Sequence, residues 1–381
     1  MLAAALGAVI LAGCGASTTG GNATVTVSGK TLVIYASQPP GGAQGQPESD
    51  ILNAERLAFA QSGGKVGAYA IRFKVLGGAK LSDNGRTAIE DPKAIAYLGE
   101  LVPGTSQISV EIVNQQGLLE VSPADTAVYL TQPIPPVSST PTTFYPGHAT
   151  FKETFARVVP NSGQEAKAIV QELGTEHVTS LYVADDGQRY GAALALEVGN
   201  AAKAAGVSLA ASASGAGAVF YGGSVANRSV ATHFLDQTAS ANASAKLFVP
   251  SGLYDSSFVS GLSPAAQQHL VVSSPGFRSQ DLNSEGQAFA SSFRTAYGHA
   301  PAPQAVFGYE AMRSVLAVLA QSGKAANSRA VVVGEYRALK GRSSAIGTYS
   351  ISGGDPSIAP FVLARVRGGA LVPFRFIQLA G

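Results

Sequence analysis

Cysteine is almost absent from this chain: Cys14 is the only one in 381 residues. No intramolecular disulfide can form, and no cysteine-based metal site exists. Charge is scarce as well. Asp, Glu, Lys and Arg make up 13% of the residues, about half of the roughly 25% found in an ordinary soluble domain. Lys and Arg number 26 against 24 Asp and Glu, a net charge of +2, so no basic surplus is available to grip a nucleic acid. The five histidines, His148, His177, His233, His269 and His299, are scattered without His-Glu-x-x-His spacing, and no metal site is expected. No Gly-x-Ser-x-Gly turn occurs, which removes the simplest hydrolase reading. Gly29-Lys30-Thr31 resembles the end of a phosphate-binding loop, but Thr24 stands where a glycine is required and a strand follows. What is present is apolar material, 46% of the chain, enough for real cores in a length that suggests two to three domains.

The first residues place the lone cysteine. Met1 to Gly13 is an apolar run too short to span a bilayer, ending in Leu11-Ala12-Gly13 before Cys14. Gly15-Ala16-Ser17-Thr18-Thr19-Gly20-Gly21 follows as a small, polar spacer. The segment resembles a bacterial lipoprotein signal. By that resemblance residues 1–14 are signal peptide and lipobox, and the Cys14 thiolate takes up lipid. No Lys or Arg precedes Lys30, so the basic start of such signals is missing. Residues 15–30 read as a flexible linker. The location implied is the bacterial cell envelope, outside the cytoplasm and anchored by lipid.

From Thr31 onward short apolar runs alternate with amphipathic segments. Strands are predicted over 32–36, 70–76, 118–121, 178–184, 218–221, 246–249 and 270–272, and helices over 48–61, 162–173, 188–205, 284–297 and 305–322. Strands and helices of these lengths in alternation give parallel α/β sheets. Three interruptions, at 131–150, at 273–276 and near 344–347, suggest two lobes crossed three times by the chain. The lobes are expected as 31–148 with 275–345, and 149–274 with 346–381. Only a few residues separate the run 207–211 from the strand at 218, too few for the helical crossover that parallel strands normally need. The first lobe is likewise short between Leu76 and Asp91.

An ordered set of motifs carries a more specific likeness. Gly63-Gly64-Lys65-Val66-Gly67 follows the first helix, then come Ala96-Tyr97-Leu98-Gly99-Glu100 and Ser122-Pro123-Ala124-Asp125-Thr126. Phe155-Ala156-Arg157-Val158-Val159-Pro160 with Gln164 opens the second lobe, before Asp185-Asp186-Gly187-Gln188-Arg189-Tyr190-Gly191, Val219-Phe220-Tyr221-Gly222-Gly223 and Gly308-Tyr309-Glu310-Ala311-Met312. In that order they resemble the periplasmic-binding-protein-like group that includes the branched-chain amino-acid receptors of ABC importers. The resemblance implies an α/β fold of two Rossmann-like lobes joined by a three-crossover hinge, the type I periplasmic binding protein fold. It implies a non-enzymatic monomer that closes on a small-molecule ligand and docks on a membrane ABC permease, with no cofactor.

The same resemblance puts Ala124 backbone groups and the Thr126 hydroxyl against the ligand. Ser122 stands in the same loop, at the strand end where ligands of open α/β folds collect. Thr105 and Ser106, near a helix N-terminus, suit a carboxylate or another anion. Tyr190 and Tyr221 are the second-lobe candidates, aromatic covers for a ligand as the lobes shut. Asp185 and Asp186 read as turn residues. Two departures stand out. Pro103 occupies the position of the serine that grips an amino-acid carboxylate, removing a hydroxyl and an N–H. Ser251 occupies the position of a glutamate for the ligand ammonium, leaving nearby Asp255 as the substitute. An amino acid, an amide and a small organic acid all stay open as ligands. A sensor lipoprotein feeding a membrane receptor, a surface hydrolase, and a structural lipoprotein without ligand are the competing readings.

Overall fold

The computed structural model describes residues 25–39 and 45–380. Cys14, the signal segment and most of the linker lie outside the described residues. The chain forms two open sheets with helices on both faces. The first sheet is ordered β2 (Lys65–Val66), β3 (Tyr69–Leu76), β1 (Thr31–Ser37), β4 (Ala94–Leu98), β5 (Leu119–Ser122) and β6 (Phe155–Arg157). All its pairings except β2 with β3 are parallel. β1 and β4 are apolar almost without interruption and buried along nearly their whole length, as strands covered on both faces require.

The second sheet runs β17 (Ala370–Ala380), β16 (Ile358–Arg367), β11 (Leu270–Pro275), β10 (Lys246–Val249), β9 (Ala218–Gly222), β7 (Ser180–Asp185) and β8 (Ser208–Leu209). Its first five strands in chain order are parallel, and the final pair is an antiparallel hairpin laid against β11. The short sequence between 211 and 218 is accommodated without an α-helix, by a single 3-10 turn at Ala213–Gly215. β8 is a two-residue strand on the far edge of β7, not a neighbour of β9, so the chain has only to double back beneath β7. Asn242 Nδ2 donates to the carbonyls of Ala213 and Ala216, and Ser180 Oγ accepts from Gly217 N at 2.9 Å, pinning this short return. Two more hairpins, β12 (Arg342–Ser344) with β13 (Gly347–Tyr349) and β14 (Ile351–Ser352) with β15 (Asp355–Pro356), precede β16.

Around the first sheet pack α1 (Gln46–Gln61), α2 (Leu81–Glu90), α3 (Ser106–Val113), α4 (His148–Phe151), α10 (Ser284–Tyr297), α11 (Ala305–Ser322) and α12 (Arg329–Arg337). The interval from Leu76 to Asp91, which reads as short in sequence, holds α2. The second sheet carries α5 (Ser162–Thr175), α6 (Arg189–Ala204), α7 (Arg228–Ala241), α8 (Ser256–Ser260) and α9 (Pro264–His269). α1 begins with Pro47 in its first turn and a Glu48 carboxylate accepting from Gly45 N, which fixes its start at the edge of the lobe. Gly308 lets α11 lie directly on α1: a Cβ there would meet the Ile51 carbonyl oxygen at 2.2 Å.

Two expected boundaries are corrected. β6 is hydrogen-bonded to β5, so residues 149–157 belong with the first sheet, and the chain leaves it after Arg157. It returns after β11 and crosses again between α12 and β16, since Ala345, Ile346, Tyr349 and Ile351 pack into the first core. The linker is also shorter than 15–30. Thr26 bridges Ser328, Val27 N donates to the Asn327 carbonyl at 2.8 Å, and Val27 is fully buried. An apolar side chain docked this way ties Val25–Val27 to the first lobe.

The crossings are tied together by one buried cation. Arg157, fully buried, donates through Nε to Asp355 Oδ1 at 2.8 Å, through Nη1 to the Asp125 carbonyl at 2.8 Å and through Nη2 to Thr131 Oγ1 at 2.9 Å. Asn161 Nδ2 donates to Asp355 Oδ2 at 2.9 Å from the segment that enters the second lobe. The first and third crossings therefore share one carboxylate.

Candidate functional site

The C-terminal ends of β4 and β5 in one lobe face those of β9, β10 and β11 in the other, and the cleft between them is the candidate site. Open α/β sheets collect ligands at this edge because the loops there are free to vary and the helix N-termini point inward. From the first lobe the walls are Ile51, Leu101, Val102, Pro103, Ala124 and Phe307; from the second they are Val225, Ser251, Gly252 and Tyr254. Most of this lining is apolar. Polar atoms come from Glu48, Ser251, Asp255, Ser274 and Gln304. Among the described residues no Lys or Arg lines it. In an adjoining outer cavity exposed Arg228 shares the mouth with Glu48, Glu100 and Asp255.

At the back of the cleft a row of hydroxyls passes from one lobe to the other. Thr126 Oγ1 lies 3.2 Å from the Tyr190 hydroxyl, which lies 3.2 Å from Ser251 Oγ. Ser251 Oγ donates to Glu165 Oε2 at 2.9 Å, while Glu165 Oε1 accepts from Ser251 N and Ser273 Oγ, each at 2.7 Å. Glu165 is completely buried, and that burial raises its pKa to about 7. Burial also holds the Tyr190 phenol well above its usual range, so it stays protonated. Arg189, at the start of α6, donates to Gln107 Oε1 at 2.7 Å and lies over the rings of Tyr129 and Phe144. The two lobes thus meet in direct contact.

Of the residues expected from sequence, Ala124 and Ser251 line the cleft, and Thr126 and Tyr190 are buried behind it in the hydroxyl row. The rest lie differently. Ser122 is buried behind the loop, its hydroxyl donating to the Glu100 carbonyl and accepting from Ala124 N and Asp125 N. Thr105 Oγ1 donates to the Val102 carbonyl at 2.6 Å, in the outer cavity. Ser106 is fully buried and its hydroxyl accepts from Glu100 N at 3.0 Å. The anion site expected near the start of α3 is already filled. Asp125 takes Gly104 N at 2.8 Å, Ser106 N at 2.7 Å and Ala127 N at 2.9 Å, so an internal carboxylate holds those donors. Tyr221 is corrected more sharply. Its ring packs on Phe234 at 5.0 Å within the second-lobe core and does not line the cleft.

Two residues escaped the sequence reading. Glu165 sits in the first turn of α5, where an acid reads as an ordinary helix-start charge. Gln304, about nine-tenths buried before α11, donates through Nε2 to Ser274 Oγ at 2.7 Å, and its Oε1 has no partner. Ser274 in turn donates to the Pro275 carbonyl, so its oxygen must accept, which fixes the amide nitrogen toward it and leaves the Gln304 carbonyl oxygen unpaired. Beneath the first-lobe edge Glu100 accepts from Tyr97 and Ser37, and burial lifts its pKa to about 7. Among the described residues no cluster of metal-ligating side chains occurs, and no helix is long and apolar enough to cross a membrane.

Comparison with known proteins agrees with this architecture. A leucine-binding protein from Thermotoga maritima superposes with a TM-score of 0.74 at 17% identity, over 91% of this chain and 98% of that one. A solute-binding protein from R. palustris, solved with benzoate, gives 0.68 at 20% identity over 92% and 98%. The branched-chain amino-acid binding protein of Streptococcus pneumoniae, solved with isoleucine, gives 0.70 at 13% identity over 92% and 100%. At these identities the likeness is one of fold, the type I periplasmic binding protein fold. No curated protein sequence matches the chain. The family profile described as "Periplasmic binding protein" matches residues 41–370, and the chain belongs to that family.

Proposed function

We propose that this protein is the extracytoplasmic, lipid-anchored solute-binding component of an ABC importer, and that it closes two lobes on a small metabolite. The observation that supports it best is the cleft itself. Strand ends of both sheets line it, and the Thr126–Tyr190–Ser251 hydroxyls meet across it. A ligand touching both walls stabilises the closed arrangement by its differential contacts, and a permease reads that arrangement. The relatives solved with isoleucine and with benzoate are themselves a substrate-binding and a solute-binding protein of transporters. No bond is made or broken in this reading, and no cofactor takes part. The protein acts as a monomer, and Cys14 carries the lipid that keeps it beside its permease.

Thermal-shift screening with amino acids, amides and organic acids tests the binding role. A stabilising compound is expected, and its shift should vanish in Tyr190→Ala and Thr126→Ala. Failure of every compound to shift the transition would defeat the reading. Labelling with a radioactive fatty acid tests the anchor. Label is expected on the wild type and absent from Cys14→Ala.

A further inference from the structure

The direction of the hydrogen bonds at the back of the cleft restricts what can bind there. A hydroxyl has one proton to give. Ser251 gives its own to Glu165 Oε2. The Ser251 oxygen therefore accepts from Tyr190, whose oxygen accepts from Thr126. With Glu165 ionised, all three protons point away from the ligand and toward the buried carboxylate. In the neighbouring loop Gly104 N, Ser106 N and Ala127 N are committed to Asp125, Ala124 N to the Ser122 oxygen, and the Ser122 hydroxyl to the Glu100 carbonyl. Pro103 supplies no N–H, and no cationic side chain lines the cleft. A carboxylate entering it would find no lining cation among the described residues, Arg228 standing outside in the adjoining cavity, and the Tyr254 phenol as the lining hydroxyl not engaged in the row.

What the cleft does offer is acceptors. Gln304 Oε1 is unpaired and about nine-tenths buried, and a buried acceptor left unpaired is costly. The Asp255 carboxylate lines the opposite wall, with Oδ1 engaged by Ser257 N and Phe258 N, while Oδ2 has no hydrogen bond among the described residues. The remaining walls are aliphatic and aromatic. We propose that the cleft takes an apolar ligand with an –NH2 head, an amide or an amine without a carboxylate, whose N–H groups meet Gln304 Oε1 and Asp255. This rests on the solute-binding reading and narrows it to a ligand class.

The arrangement also says how the selectivity could be undone. In Glu165→Gln the amide oxygen must face the two donors, Ser251 N and Ser273 Oγ, which leaves the amide nitrogen against Ser251 Oγ. Every hydroxyl in the row then reverses, so the row no longer ends on a carboxylate and the Thr126 hydroxyl, buried behind the cleft, becomes a donor without a partner in the row. Selectivity is set by a residue that does not line the cleft.

Titration calorimetry on the full-length chain at pH 8 tests this with compounds of one skeleton: 3-methylbutanamide, 3-methylbutylamine and 3-methylbutanoate, with leucine, benzamide and benzoate beside them. At least one –NH2 compound should bind ten-fold or more tighter than its matching carboxylate. Gln304→Leu should weaken that compound five-fold or more, and Glu165→Gln should narrow the gap to the carboxylate by a similar factor. A carboxylate or leucine binding as well as or better than the –NH2 compounds overturns the inference and leaves the solute-binding reading standing. So does a Glu165→Gln variant with an unchanged ratio. Heat from none of the six compounds overturns both.

Discussion

Replacing Arg157 by methionine removes the one cation that ties two lobe crossings together, and its cost follows from the contacts. Arg157 is fully buried and makes charge-assisted bonds to Asp355, the Asp125 carbonyl and Thr131. Removing one partner of a buried ion pair costs ~3–5 kcal/mol, because the other charge is left uncompensated. Asp355 keeps donors from Thr131, Gln132 and Asn161 and is partly solvated, which puts the cost at the lower end. Methionine fills much of the volume, so little cavity term is added. Unfolding entropy per residue gives roughly 0.8 kcal/mol/K for a chain of this length, so about 3 kcal/mol lowers the midpoint by ~4 °C. Differential scanning calorimetry of Arg157→Met, Asp355→Asn and the double variant measures it. The double variant should lose less than the sum of the singles, with a coupling of ~1 kcal/mol or more. A midpoint within 1 °C of wild type, or strictly additive losses, would refute the hinge assignment.

Other outcomes follow from the same structure. Burial raises the carboxyls of Glu100, Glu165 and Glu197 to about 7. Between about pH 4.5 and 7 the folded state therefore binds more protons than the unfolded chain, and stability falls as pH rises, by up to ~1.4 kcal/mol per pH unit for each group. Thermal scans should show the loss toward pH 8, and Glu165→Gln should flatten it; stability rising through this window would contradict the burial. Tyr190→Phe keeps the ring but removes the hydroxyl between the lobes, worth about 0.5–1.5 kcal/mol, so ligand affinity should drop ~2–13-fold in calorimetry with little change in melting temperature. Gly308→Ala drives a methyl into the Ile51 carbonyl and should destabilise by ~1–3 kcal/mol in urea titrations.

The alternation of apolar runs with amphipathic helices was legible because both periods are local, and helices such as α10 and α11 begin and end where caps and patterns indicate. β4, Ala94–Leu98, shows in the sequence only as the start of the Ala96-to-Glu100 motif and not as a strand. β6, only three residues long, was taken with the second lobe because the Pro/Ser/Thr stretch before it imitates a domain boundary. The C-terminal hairpin is antiparallel on an otherwise parallel sheet, which repetition of the βα pattern does not foreshadow. In the site, Ala124 and Ser251 stand in loops after strands and could be read as a pattern. Tyr221 carried the same signal, yet the phase of its strand turns it under α7 into the core. Glu165 and Gln304 matter through partners distant in sequence, Ser251, Ser273 and Ser274, and only the folded chain brings these together.

The central claim is that a small ligand held between the lobes governs their closure. The direct test is a distance measurement between spin labels at Lys80→Cys and Ser229→Cys, exposed positions in the first and second lobes, in a chain starting at Gly15 to remove Cys14. Pulsed electron resonance should give a broad distribution without ligand and a shorter, narrower one with the tightest binder of the calorimetric panel, and Tyr190→Ala should abolish the change. A ligand that binds while the distribution stays the same would contradict the account.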